Sequence, residues 1–123
     1  RALEAAAAVL RCVRPVPERM AAAIDPSIFA TDLADVLVER GVPFREAHGV
    51  AAEAVRLAES SGRRLDGLKP DEFRTLHAAL AALPAGLFDP RRSIERKKTA
   101  GSTNPEMVRR QLKKARALVD GSG

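Results

Sequence analysis

The stretch Phe29-Ala-Thr-Asp-Leu-Ala-Asp-Val-Leu-Val-Glu-Arg-Gly-Val-Pro-Phe-Arg-Glu-Ala-His48 constrains the fold more than any other. Leu33, Val36 and Leu37 recur at helical spacing, with Phe29 just before them on the same face. Gly41 supplies the left-handed residue that commonly ends a helix. Pro43 restarts the chain and suits the first position of a second helix, where its missing N–H leaves nothing unpaired. Ala47, Val50, Ala51, Ala54, Val55 and Ala58 then continue at spacings of three and four until Ser60-Ser61-Gly62. The pattern is that of two amphipathic helices joined by a tight corner. We place the first over Thr31 to Arg40, with Thr31 or Asp32 as its cap.

The remaining punctuation is also helical. An alanine-rich run over 2–14 stops before Pro15 and Pro17, which makes Arg14 to Pro17 the best internal boundary. Helical signal returns from Glu18 to about Ile24. Pro70, followed by Asp71 and Glu72, opens a further helix predicted to reach Leu83, with Phe73, Leu76, Leu80 and Leu83 as its apolar stripe. Arg91 to Thr99 reads as a short basic segment. Ala100-Gly-Ser-Thr-Asn104 reads as a loop, and Pro105 begins the last helix, with Val108, Leu112, Ala115 and Val119 as its single apolar line. Asn104 is a good cap for it, and Thr103 with Glu106 also fits a capping box. Alanine and leucine dominate, Trp and Tyr are absent, and the four Phe stand at 29, 44, 73 and 88. Such a composition favours close-packed helices over strands but supplies few bulky anchors. Modest stability is therefore expected for this piece alone, with neighbouring chain or subunits adding burial.

Cys12 is the only cysteine, so no intrachain disulfide can form, and a reducing cytoplasm fits. No apolar run reaches the length of a membrane span, and nothing has the form of a signal peptide. Charge is unevenly placed. Between Arg91 and Arg116 ten cations face Glu95 and Glu106, a balance of +8, whereas residues 1–90 carry eleven cations and thirteen carboxylates, a balance of −2. Such a tract is either a nucleic-acid footprint or a solvated face beside an acidic neighbour. No aromatic residue is interleaved in it, so base stacking has no support.

Candidate chemistry is sparse. His48 and His77 fall in different predicted helices, and neither has a second His or a Cys at metal-ligand spacing. Asp32, Asp35 and Glu39 share one helix face, the pattern of a solvated flank rather than of an acid/base pair in two environments. Gly101-Ser-Thr-Asn-Pro105 precedes a helix start, where outward-pointing amides favour anions, but it lacks the ending of a phosphate-binding loop and reads as a capping loop. We assign no catalytic, cofactor-binding or metal-binding residue.

Four blocks resemble argininosuccinate lyase in order and spacing. They are Glu18-Arg19-Met20 ahead of Phe29-Ala-Thr-Asp-Leu-Ala-Asp35; Gly41-Val-Pro-Phe-Arg-Glu-Ala-His48; Asp89-Pro-Arg-Arg-Ser-Ile-Glu95; and Gly101-Ser-Thr-Asn-Pro105 with Val108 and Gln111. Val36 stands where the family usually has Tyr, and Ser102 where a second Gly is usual. The resemblance implies an all-α, small helical C-terminal domain of about five helices over 15–120. Residues 1–14 would be the end of a long helix of the family's central bundle, and 121–123 a frayed tail. It also implies a cytoplasmic homotetrameric parent of arginine biosynthesis that cleaves argininosuccinate to arginine and fumarate. A serine on a Gly-Ser-Ser loop, with a histidine assisting, does that chemistry in the family. No segment here matches either, so no catalytic role is carried over and the piece alone is expected to be inactive. Two other readings are a stand-alone basic module that binds nucleic acid, and a lyase-like scaffold without activity.

Overall fold

The computed structural model describes residues 1–121, and the described chain is built from helices alone. Seven α-helices follow in order: α1 (Ala2–Cys12), α2 (Pro17–Ala22), α3 (Ala30–Glu39), α4 (Phe44–Ser60), α5 (Pro70–Leu76), α6 (Pro90–Arg96) and α7 (Pro105–Asp120). Short 3₁₀ turns at Pro26–Phe29, Leu65–Gly67 and Ala78–Leu80 link them. The all-α expectation holds. Residues 122–123, within the tail expected to fray, lie outside the described residues.

The core is the α3–α4 hairpin. Leu33, Leu37, Ala47 and Ala54 are fully buried, with Val36, Val50, Ala51 and Ala58 beside them. Alanines facing leucines let the two helix backbones approach closely, and the corner fixes their angle. The Val42 amide donates to the Leu37 carbonyl (3.0 Å) and the Gly41 amide to the Val38 carbonyl (2.9 Å), the paired bonds of a Schellman motif. Gly41 takes φ +86°, a left-handed conformation that costs a residue with a Cβ roughly 1–2 kcal/mol. Val42 is buried against the same core. Helix α4 ends the same way, with Gly62 donating to Glu59 and Arg63 to Ala58.

Around this hairpin pack Leu65, Leu68, Phe73, Leu80 and Leu87. Phe88 lies between two other rings, edge-on to Phe29 (6.2 Å between centroids) and stacked on Phe73 (5.9 Å). Three of the four phenylalanines thus concentrate the bulky packing of an otherwise small-residue core. Phe44 remains exposed.

Three local expectations are corrected. Helix α3 has no side-chain cap: Phe29 holds the cap position, and Asp32 is turned into the protein rather than back onto its own first turn. Pro43 is the cap residue before α4, with ψ 139°, instead of its first helical residue. The helix opened by Pro70 stops at Leu76. There His77 is extended, and its Nδ1 accepts from the Ala79 amide (3.0 Å) to start a separate 3₁₀ turn. That break swings Leu80 into the core. Arg40 secures it by donating from its guanidinium to the Ala79 and Ala82 carbonyls.

Candidate functional site

The densest polar constellation joins α3 to α6. Asp32, only 5% exposed, is held in the first turn of α3 among apolar neighbours. Its position is dictated by the stripe around it, since Leu33, Ala34, Val36 and Leu37 all face the core. Helix α6 supplies the partners. Asp89 caps it by accepting from the Arg91 (2.8 Å) and Arg92 (3.3 Å) amides. One turn later the Ser93 hydroxyl donates to Asp32 (2.9 Å). Arg96 lies 3.4 Å from Asp32, and Lys97 reaches both Asp32 (3.2 Å) and Asp35 (2.7 Å). The Asp35 hydrogen bond, reinforced by the one to Asp32, holds the Lys97 ammonium above its ordinary pKa against partial burial. Asp32, Asp35, Val36, Glu39, Arg96 and Lys97 line a shallow cleft of about 190 Å³.

Chemically this is an anchor. A serine donating to a carboxylate superficially suggests an activated nucleophile, but here the same carboxylate is also paired with Arg96 and Lys97, and among the described residues no other base stands beside the hydroxyl to take its proton. A buried carboxylate with a hydroxyl and two cations on it instead fixes the helix that carries those groups. The reading of Asp32, Asp35 and Glu39 as a solvated flank is therefore corrected for Asp32. It is buried because α6 brings charge to it across 61 residues of chain. The complementary signs of residues 1–90 and of the basic tract were the available sequence signal; the pairing itself was not legible.

The basic tract is divided by the fold. Arg96 and Lys97 are engaged with carboxylates. Arg92 donates to the Ala85 carbonyl (3.1 Å) and lies so close over Gly86 (φ +72°) that a Cβ there would fall 2.3 Å from Arg92 Cδ. The cations of α7 stay exposed.

The loop before α7 is a junction. Asn104, itself buried, accepts from the Glu106 amide (2.9 Å) and donates to the Glu95 carbonyl of α6 (2.8 Å). The Ser102 hydroxyl donates to the Lys97 carbonyl. Asn104 is the cap, so the alternative box from Thr103 does not form. With its side chain on the helix start, the loop behaves as the capping loop the sequence indicated.

The two histidines serve separately. His77 caps its 3₁₀ turn and lies 3.5 Å from Glu46. His48 is exposed on α4 beside the Phe44 ring. Among the described residues no three His, Cys, Asp or Glu side chains group so as to hold a metal ion, and no helix is long and apolar enough to cross a membrane. The other strong ion pair, Arg63 with Glu72, is bidentate (2.8 and 2.6 Å). Arg63, followed by the Lys69 amide, lowers the Glu72 carboxyl to about 2.

Residues 27–95, from the turn before α3 to within α6, match the family model described as "Argininosuccinate lyase C-terminal". Similar proteins extend the likeness along nearly the whole chain. An argininosuccinate lyase of Chloroflexus aggregans is 43% identical over 95% of this chain and 25% of its own length. One of a Roseiflexus species is 42% identical over 97% of this chain and 26% of its own. A eukaryotic example from Chlamydomonas reinhardtii is 38% identical over 96% and 25%. This chain therefore spans about a quarter of the length of the relatives it matches. The hairpin with its glycine corner and the buried Asp32 that receives Ser93 both fall inside the matched segment, and the chain belongs to the argininosuccinate lyase C-terminal family.

Proposed function

We propose that this chain is the non-catalytic C-terminal domain of an argininosuccinate lyase. Residues 15–120 form the domain, and 1–14 are the end of a helix that continues into the body of the parent. The observation that carries this reading is the family match over 27–95, extended by lyases aligned with nearly all of this chain but only a quarter of themselves. The parent reaction is an elimination. A base takes a proton from the succinyl moiety of argininosuccinate, the adjacent carbon–nitrogen bond breaks, and its electrons leave with the arginine nitrogen. The new double bond makes the other product fumarate.

In this reading the domain contributes shape, and the reacting groups come from the rest of the parent, a cytoplasmic homotetramer. Two features of the fold support it. The buried Ser93–Asp32 pair is engaged by the cations Arg96 and Lys97. The apolar residues of α1, Leu3, Val9 and Leu10, are 64–86% exposed, as a helix end detached from its packing partners would be. The test is fumarate release from argininosuccinate by the full-length parent, with this chain assayed in parallel. Fumarate from the parent and none from the chain is the expected result. A folded parent that releases no fumarate would overturn the assignment of activity.

A further inference from the structure

We infer that α7 is a docking arm. Its apolar line seats in an apolar groove, rimmed by carboxylates, on the preceding part of the same parent polypeptide. The inference rests on the domain reading above and adds the surface by which the domain is held.

Four observations carry it. First, α7 is 16 residues long and none of them is buried. In proteins most of a helix's stability comes from packing of its apolar face, and among the described residues nothing buries that of α7. Second, Val108, Leu112, Ala115 and Val119 follow a four-three-four spacing, the narrow seam of a helix packed along another helix. Val108, Leu112 and Val119 are 38, 53 and 75% exposed. Third, five cations (Arg109, Arg110, Lys113, Lys114 and Arg116) flank the line against Glu106 and Asp120, a balance of +3. A complementary surface is apolar at its centre and acidic at its edges. Fourth, the arm is aimed. Asn104 and Ser102 tie its start to α6, and Asp32 and Asp35 tie α6 to α3. The chain spans about a quarter of its relatives, so ample surface to receive the arm lies in the remainder of such a protein.

Other occupants fit less well. Single-stranded nucleic acid would find no aromatic side chain from Arg91 to Arg116 on which to stack a base. A membrane surface favours Trp, Phe or a broad leucine face, whereas this seam is one residue wide and mostly Val and Ala.

The test is hydrogen exchange, read by mass spectrometry, on the full-length parent. In the wild type the 108–120 amides should exchange slowly. Leu112→Glu should speed them about tenfold or more while α3 and α4 keep their protection. A charge-reversed variant, R109E with K113E and R116E, should speed them too. Fast exchange of α7 in the wild type overturns the inference. Charge reversal without effect overturns the acidic rim, and protection that fades on dilution into monomers assigns the groove to a neighbouring copy instead. Protection that appears only with added RNA or phosphatidylserine vesicles likewise overturns it. Fumarate release by the same samples separates the two readings: release with an unprotected α7 defeats the arm alone, and a protected α7 without release defeats the activity alone.

Discussion

The α3–α4 hairpin and the α6–α7 segment are both helical pairs, yet they are held by different physics. In the hairpin, Leu33, Leu37, Ala47 and Ala54 are removed from water entirely, and the glycine corner leaves little freedom in the crossing. In the second pair no residue of either helix is buried. Its placement depends on Ser93, Arg96 and Lys97 reaching Asp32 and Asp35, and on Asn104 bridging α6 to α7. Apolar burial is non-directional and scales with area, so it gives the hairpin its stability. Hydrogen bonds and ion pairs are directional and individually modest, so they give the second pair its direction with much less stability. A chain can thus present a well-aimed helix without building a core beneath it.

The largest effect expected is in the hairpin. Leu37→Ala leaves a cavity at a fully buried site and should cost about 2–5 kcal/mol, measured as a shift in the urea midpoint followed by helical circular dichroism. A loss under about 1 kcal/mol would mean that the hairpin is not where the stability resides. Asp32→Ala addresses the anchor. Its partners Arg96 and Lys97 are about one-third exposed and partly screened, so the loss should be smaller, about 1–3 kcal/mol. Its signature is local: exchange of the α6 and α7 amides should rise before that of α3 and α4. Uniform acceleration throughout would show that the two regions unfold as one, and the contrast between them would fall.

The smallest effect is a pH dependence of the same anchor. The folded Lys97 pKa is raised, chiefly by Asp35, so its contribution is present in full below the unfolded lysine value of about 10.4. It is lost as pH rises through the folded value. Wild-type stability should therefore fall more steeply than that of Lys97→Met above about pH 10.4, and the two should run parallel near neutrality. Parallel curves at alkaline pH as well would remove Lys97 from the anchor.

Much of the hairpin was legible because its information is local. The three-and-four spacing of Leu33, Val36 and Leu37, and of Ala47, Ala51, Ala54 and Ala58, names the buried faces directly, and Gly41 names the corner. Asn104 was equally readable as the cap of α7. The halt of α5 at Leu76 was not, because His77, Ala78 and Ala79 carry no breaker. That break is maintained by Arg40 from the corner of the hairpin and by the core site waiting for Leu80.

The amino-acid order by itself determined six of the seven described α-helices, most of their boundaries and the family, since periodicity, caps and motif spacing act within a few turns of chain; α6, read only as a short basic segment, was the exception. Only the tertiary structure decided that Asp32 is buried and that part of the basic tract is spent on carboxylates. It also decided that α7 stands out from the core with its apolar line exposed. The reason is that charge and burial are set by neighbours in space. Asp32 and Ser93 lie 61 residues apart, and no local pattern in either segment specifies that the folded hairpin brings them within 2.9 Å.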